Sequence, residues 1–267
     1  MSSAYFVDPH SVVRQIWGKA DTILFIFAGA SAEFALSKAV DWLYFTGRLP
    51  ADPLARLFST VAFARTIVFS ERASALRAID AMASIHAQVE AKRGIRIPDW
   101  AYRDVLFMLI DYSIRSYERL ERKLSRAEKE DVFQVFHQVG RRMGVPGLPD
   151  DFDTWATMRQ QHLHQNLQGS PYTEDLFRQY KKSVGRMRYW FLRETQTLLV
   201  PQHVRALLGF RDYAFISPLL DFYKWSRHLK LDVVVKALFL PRQYQTEIKG
   251  LDSMTAHDPT MGFHKEH

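Results

Sequence analysis

The sequence predicts an all-α protein, and three observations carry that reading. Glycine and proline number only 12 and 11 in 267 residues, under the roughly 12% that is ordinary, so few positions demand turn geometry. Apolar positions recur at helical spacing between recognisable caps and breakers. No run alternates with period two and no internal repeat is visible. With 47% hydrophobic residues, the chain can bury a core, which excludes disorder for its bulk.

The elements follow in order. Asp52-Pro53 opens a helix, an acceptor at the cap followed by a ring whose missing N–H needs no partner there, and apolar periodicity runs to about Phe69. Ser70 is read as the cap of the next helix, which reaches about Arg93 and ends at Gly94. Pro98-Asp99 starts a third, Trp100 to about Arg122, whose Val105 to Ile110 run is apolar all round and therefore central. Ser125-Arg126-Ala127-Glu128 is a capping box opening a helix to about Met143. Gly144 to Pro149 is the clearest loop. Asp151 then begins a helix to about Leu167, and Gly169-Ser170-Pro171 breaks it. Helical stretches are expected at Thr173 to Leu199, Pro201 to Leu208 and Pro218 to Phe239. The Pro146 to Pro149 loop is the one boundary candidate, but the apolar helices before it need cover from those after it. Residues 1–249 are read as one domain, and the polar residues 250–267, broken by Pro259 and Gly262, as a loose tail.

Composition narrows the chemistry. The absence of cysteine excludes a disulfide framework, a thiolate nucleophile, an iron–sulfur cluster and thiolate-ligated haem. Imidazole, carboxylate and hydroxyl are left as metal ligands, and the expected compartment is a reducing cytoplasm. The amino terminus lacks the pattern of a secretion signal. The longest uncharged apolar run, Thr22 to Ala32, is 11 residues, short of the ~18 that a membrane span needs. A net charge of +7 points only weakly to acidic partners. Lys181, Lys182, Arg186 and Arg188 are read as a solvated helix face, with phosphates or an anionic membrane surface as the alternative. His162 and His164, two apart on a helix, point in different directions and are read as exposed polar residues rather than a metal pair. Trp155, Tyr189, Trp190 and Trp225 are read as core and rim. No P-loop, HExxH or GxSxG motif is present.

The helices joined near Ser70 should lie antiparallel. Arg56 stands 14 residues before Ser70 and His86 stands 16 after it, which puts them about 21 and 24 Å from the turn at 1.5 Å per residue. Thr60 is one turn on from Arg56 and shares its face. His86 has Ile79, Met82, Ala83 and Val89 as helical neighbours, so its imidazole emerges from a mostly apolar stripe. An apolar slot with one imidazole and one arginine suits a flat anionic macrocycle, although a lone histidine on such a face is more often a core residue. Arg56 and Thr60 have equally plain readings as an ion pair at a helix end and a hydroxyl bonded back to its own helix.

The run DPLARLFST from Asp52, the HAQV at His86 and PDWAYRDVLFMLIDYSIRSYERL from Pro98 together resemble the MpaB and rubber-oxygenase catalytic domain family. LSRAEKEDVFQVFHQVGRRMGVPGLP from Leu124 continues the likeness, which covers about Phe25 to Leu167 and is fainter afterwards. The resemblance implies an all-helical, globin-like packing around haem b, with His86 at the proximal iron ligand and Arg56 and Thr60 on the family's arginine and threonine beside the haem. Relatives oxidise or cleave carbon–carbon double bonds of isoprenoid chains with dioxygen. Two departures stand out. Latex-clearing relatives carry a lysine where this chain has Ser59, which implies a distal side not served by that amine. The upstream histidine-proline pair is replaced near Ser37-Lys38, and no acid matches a catalytic base; Glu33 and Asp41, the carboxylates nearby, are read as surface residues.

The expectation is a cytoplasmic haem b oxygenase acting with dioxygen on an apolar, unsaturated or isoprenoid chain, with His86 as the metal ligand and Arg56, Ser59 and Thr60 lining the haem. Its partners are a small hydrophobic substrate and dioxygen, not nucleic acid, with peripheral membrane contact left open and the oligomeric state undetermined. A non-enzymatic helical carrier of haem or lipid is the alternative reading, and a helical interaction module with a structural His86 the third.

Overall fold

The computed structural model describes residues 4–45, 53–218 and 220, with the backbone alone for Leu43 and residues 53–59. Its helices are α1 (Val12–Trp17), α2 (Ala20–Phe34), α3 (Asp41–Phe45), α4 (Pro53–Phe69), α5 (Arg72–Arg93), α6 (Asp99–Leu120), α7 (Arg126–Arg142), α8 (Phe152–Gln165), α9 (Pro171–Val184), α10 (Arg186–Leu199) and α11 (Gln202–Leu207). Among the described residues the fold is all-α, with only two isolated bridges outside the helices, Tyr5 with Glu71 and Ser37 with Leu167.

The two helices most extensively packed on one another are α2 and α6. The Thr22 to Ala32 run lies within α2, where Ile23, Ile26 and Ala32 are fully covered. Leu24, Phe25 and Ala30 are half-buried, so most of the segment is covered and little of it needs a polar face, which is why apolar residues continue there. Helix α6 is central as expected, although Val105 faces outward at 40% exposure. Trp17, Phe27 and Phe136 join α1, α2 and α7 through tilted and edge-on ring contacts. A second apolar cluster ties the end of α2 to α8, α9 and α11 through Ala32, Leu36, Leu163, Leu176 and Val204.

Close approach of α2 and α6 depends on Gly29, because a methyl group there would fall inside the Tyr112 ring, itself fully buried. Gly29→Ala is expected to cost about 1–3 kcal/mol through overpacking, read as a lower midpoint in chemical denaturation. A midpoint equal to that of the unmodified protein would show that the two helices can part without cost.

Local signals held where they were strongest. Ser125 Oγ accepts the Glu128 N–H, and the Glu128 carboxylate accepts the Ser125 N–H at 2.8 Å. Arg122 adds two bonds to that carboxylate, and with the backbone bond it holds Glu128 at about 2. Ser170 likewise forms a box with Thr173. Two boundaries differ from expectation. The cap position of α5 is Glu71, not Ser70, and makes no side-chain cap bond; the Arg72 N–H donates instead to the Ala4 carbonyl at 2.9 Å. The stretch expected from Thr173 to Leu199 is two helices, because Gly185 at φ 79° turns the chain between α9 and α10. Apart from Ser217, Pro218 and Leu220, the helix expected at Pro218 to Phe239, Trp225 and the tail 250–267 lie outside the described residues.

Candidate functional site

Helices α4 and α5, joined through Ser70 and Glu71, pack against each other. Antiparallel passage, as the two-residue connection favours, would bring the first turns of α4, which carry Arg56, Ser59 and Thr60, beside the half of α5 that carries His86. Thr60 and His86 are both half-buried, while the side chains of Arg56 and Ser59 lie outside the described residues. The covered end of α5 is the other one, at Ala75, Ala78 and Ile79. Around His86, the apolar Met82, Ala83 and Val89 are half-buried and Ile85 is 40% exposed.

The His86 imidazole is oriented by its own helix. Its Nδ1 lies 2.8 Å from the Met82 carbonyl oxygen, and a carbonyl can only accept, so Nδ1 donates to it. A hydrogen-bonded Nδ1–H that fixes ring orientation is the usual outer support of a metal-ligating histidine. Tyr102, on the first turn of α6, sits edge-on to the ring with centroids 5.4 Å apart. Its hydroxyl donates to Glu90 at 3.1 Å, and the same carboxylate oxygen accepts the Ile97 N–H at 2.8 Å. Burial, with the Glu90 charge adding to it, pushes the Tyr102 phenol up. Glu90 therefore fastens the 94–98 turn and the ring that flanks His86. Beyond it, Arg93 reaches Asp41 at 2.5 Å and lies 4.0 Å over the Trp42 ring, anchoring α3 to the end of α5.

The side chains fit a haem in their chemistry: an imidazole oriented by its own helix, amid apolar side chains, in a chain without thiolates. Among the described residues no group of three or more His, Asp or Glu could hold a metal ion.

A model of the family described as ER-bound oxygenase mpaB/B'/Rubber oxygenase, catalytic domain, matches residues 15–227. The chain belongs to this family. The match to the MpaB/rubber-oxygenase domain extends beyond Phe25 to Leu167 at both ends, and membership places the chain among oxygenase catalytic domains. No curated protein and no solved structure matches it.

Two expectations about polar residues of this MpaB/rubber-oxygenase domain are corrected. Glu33 is not a surface carboxylate: it is 2% exposed and grips Arg159 of α8 through bonds of 2.5 and 2.6 Å, with the Tyr112 hydroxyl donating to it at 2.9 Å. Arg159 also reaches Asp111 at 3.0 Å, and Asp111 accepts from Arg115 at 2.6 Å. Burial opposes the Asp111 charge, but the two guanidiniums outweigh it and hold the carboxyl below its ordinary range. Glu33, Arg159 and Asp111 thus form a buried set joining α2, α6 and α8, with the half-exposed Arg115 at its edge. His162 is not exposed either: it is buried, paired with Asp104 through Nδ1 and stacked on Phe107 at 5.0 Å. His164 is exposed as expected, beside His203. Asp41 is the Arg93 partner described above. Ser37 and Lys38, where relatives have a histidine-proline pair, form a turn whose Lys38 Nζ donates to the Gln165 carbonyl.

Proposed function

We infer that this oxygenase domain uses haem b, held through His86 Nε2, to oxidise an apolar, unsaturated chain of the isoprenoid type with dioxygen. The observation that supports the reading is the His86 Nδ1 bond to the Met82 carbonyl, which orients the ring so that Nε2 would be the nitrogen to meet the iron. The haem iron would supply dioxygen activation. The chain's own residues hold and orient: His86 ligates, Tyr102 limits ring rotation, Arg56 meets a propionate, and Thr60 lines the same face. Ser59, a short hydroxyl and a poor iron ligand, would not take the place of the lysine of latex-clearing relatives. Half-covered Met82, Ile85 and Val89 offer an apolar wall to the substrate. No described helix is long and apolar enough to cross a membrane, and the lack of cysteine supports a reducing cytoplasm.

The test is an absorption titration of the purified chain with haemin, followed by oxygen uptake with an isoprenoid alkene. A Soret band saturating near one haem per chain, with alkene-dependent uptake, is expected. A Soret band without uptake points to a carrier, and no saturable band overturns the reading.

A further inference from the structure

The bend between α9 and α10 carries an unusual charge pattern. Between Asp175 and Glu194 the sequence contains no acid but six cations, Arg178, Lys181, Lys182, Arg186, Arg188 and Arg193. Gly185 reverses the chain in the middle of this stretch, so the end of α9 and the start of α10 present their side chains at one corner. Lys181, Lys182 and Arg186 are exposed and Arg188 is half-buried. None of these four forms an ion pair with a described residue, whereas Arg178 approaches Asp175 at 3.7 Å and Arg193 lies over Phe210 at 4.0 Å. Two large apolar side chains stand at the same corner, Met187 at 58% and Trp190 at 45% exposure. Three residues apart on α10, they share one face.

We propose that this corner is a docking surface for an anionic lipid membrane, with Lys181, Lys182 and Arg186 meeting headgroups while Met187 and Trp190 enter the interface. Charge complementarity favours a polyanion, and the exposed methionine and indole decide which one. A thioether and an indole gain by leaving water for the headgroup region, where tryptophan is enriched. Phosphate contacts on a nucleic acid need cations alone. Clustered basic residues next to inserted apolar ones are the two signals that together give stable, reversible membrane attachment. An isoprenoid chain partitions into bilayers, so docking would bring the protein to where such a substrate resides; that consequence rests on the proposed function, whereas the docking itself does not.

The experiment is sedimentation of the full chain with phosphatidylcholine vesicles, with and without phosphatidylserine. Binding only to the anionic vesicles, falling with salt, is expected. Lys181→Gln/Lys182→Gln/Arg186→Gln should weaken it on the order of 100-fold, at roughly fivefold for each neutralised cation. Met187→Ser/Trp190→Ser should weaken it roughly tenfold or more and abolish quenching of tryptophan fluorescence by brominated lipid. Far-ultraviolet circular dichroism and haemin titration of both variants should match the unmodified chain. Absence of binding to anionic vesicles overturns the proposal, as does binding that neither variant weakens. Vesicle binding indifferent to the Met187 and Trp190 changes, with equal binding to a DNA duplex, overturns it in favour of a general polyanion surface. Loss of the haem reading in titration would leave each of these outcomes unaffected.

Discussion

Replacing His86 with alanine is expected to abolish tight haem binding while leaving the fold intact. The imidazole is half-buried on a helix, so its removal costs little packing, and alanine favours helix. Cysteine is absent, so no thiolate can take over. Removing an outer hydrogen-bond partner of a ligand typically costs about 10–100-fold in metal affinity, and removing the ligand itself should cost at least that. Haemin titration followed at the Soret band, with circular dichroism as the control for folding, measures both. Arg56→Ala provides the scale: it removes one charge-assisted contact of about 1.5–3 kcal/mol and should leave a recognisable, weakened holoprotein spectrum. An unchanged spectrum at full occupancy in His86→Ala would remove this residue from the iron.

Arg159→Met should be the most destabilising single change in the helical frame. It leaves the buried Glu33 carboxylate with the Tyr112 hydroxyl alone and Asp111 with Arg115 alone, where both now bind the Arg159 guanidinium from two sides. Loss of one partner from a buried ionic set costs about 3–5 kcal/mol, which corresponds to a fall in Tm of roughly 6–20 °C for a protein of this size class. The pH dependence should weaken as well. In the unmodified protein the depressed Asp111 carboxyl contributes stability that is present above its unfolded value, near 3.9, and is lost as pH falls through the folded one. Without Arg159, Arg115 alone faces Asp111 and the depression is smaller, so less stability is lost on acidification. The Tm deficit should therefore narrow as pH falls below about 4. Glu33→Gln in the Arg159→Met background should recover part of the loss. Equal Tm values for Arg159→Met and the unmodified chain would mean that water already replaces the arginine.

What the sequence made legible is what short-range chemistry determines. The capping box at Ser125 and Glu128 and the proline start at Pro53 lie within a few residues of what they stabilise, and they were readable in advance. The break at Gly185 was not, because one glycine costs a helix only about 1 kcal/mol and its positive φ is visible only in the folded chain. Glu33 was misassigned for a different reason. Its partner Arg159 is 126 residues away, and nothing local announces it, although a lone carboxylate in AGASAEFAL, like Asp111 within LFMLIDYSI, was itself a sign of a buried partner. His162 was misread because two residues on a helix face different ways, and one of those ways is inward. Within the candidate site, His86 and its apolar stripe followed from periodicity. The supports at Tyr102 and Glu90 needed the geometry of the 94–98 turn.

The helix that carries His86 is fastened along its first half and again at its last turns. The Ala4 carbonyl, the Tyr5 bridge, the buried Ala75, Ala78 and Ile79 and the Asp80 pair with Arg142 secure the first half, and Glu90 and Arg93 secure the last turns, whereas the stretch around His86 is only half-covered. Mechanically, α5 is a beam held on both sides of His86, with the stretch between free of the dense interlock that freezes α2 against α6. Local opening there disrupts few buried apolar contacts, so its free energy lies well below that of global unfolding. Such a segment can accommodate chains of different bulk by small bowing, while its fixed ends keep the rotational phase of the helix, and with it the direction of the imidazole, constant.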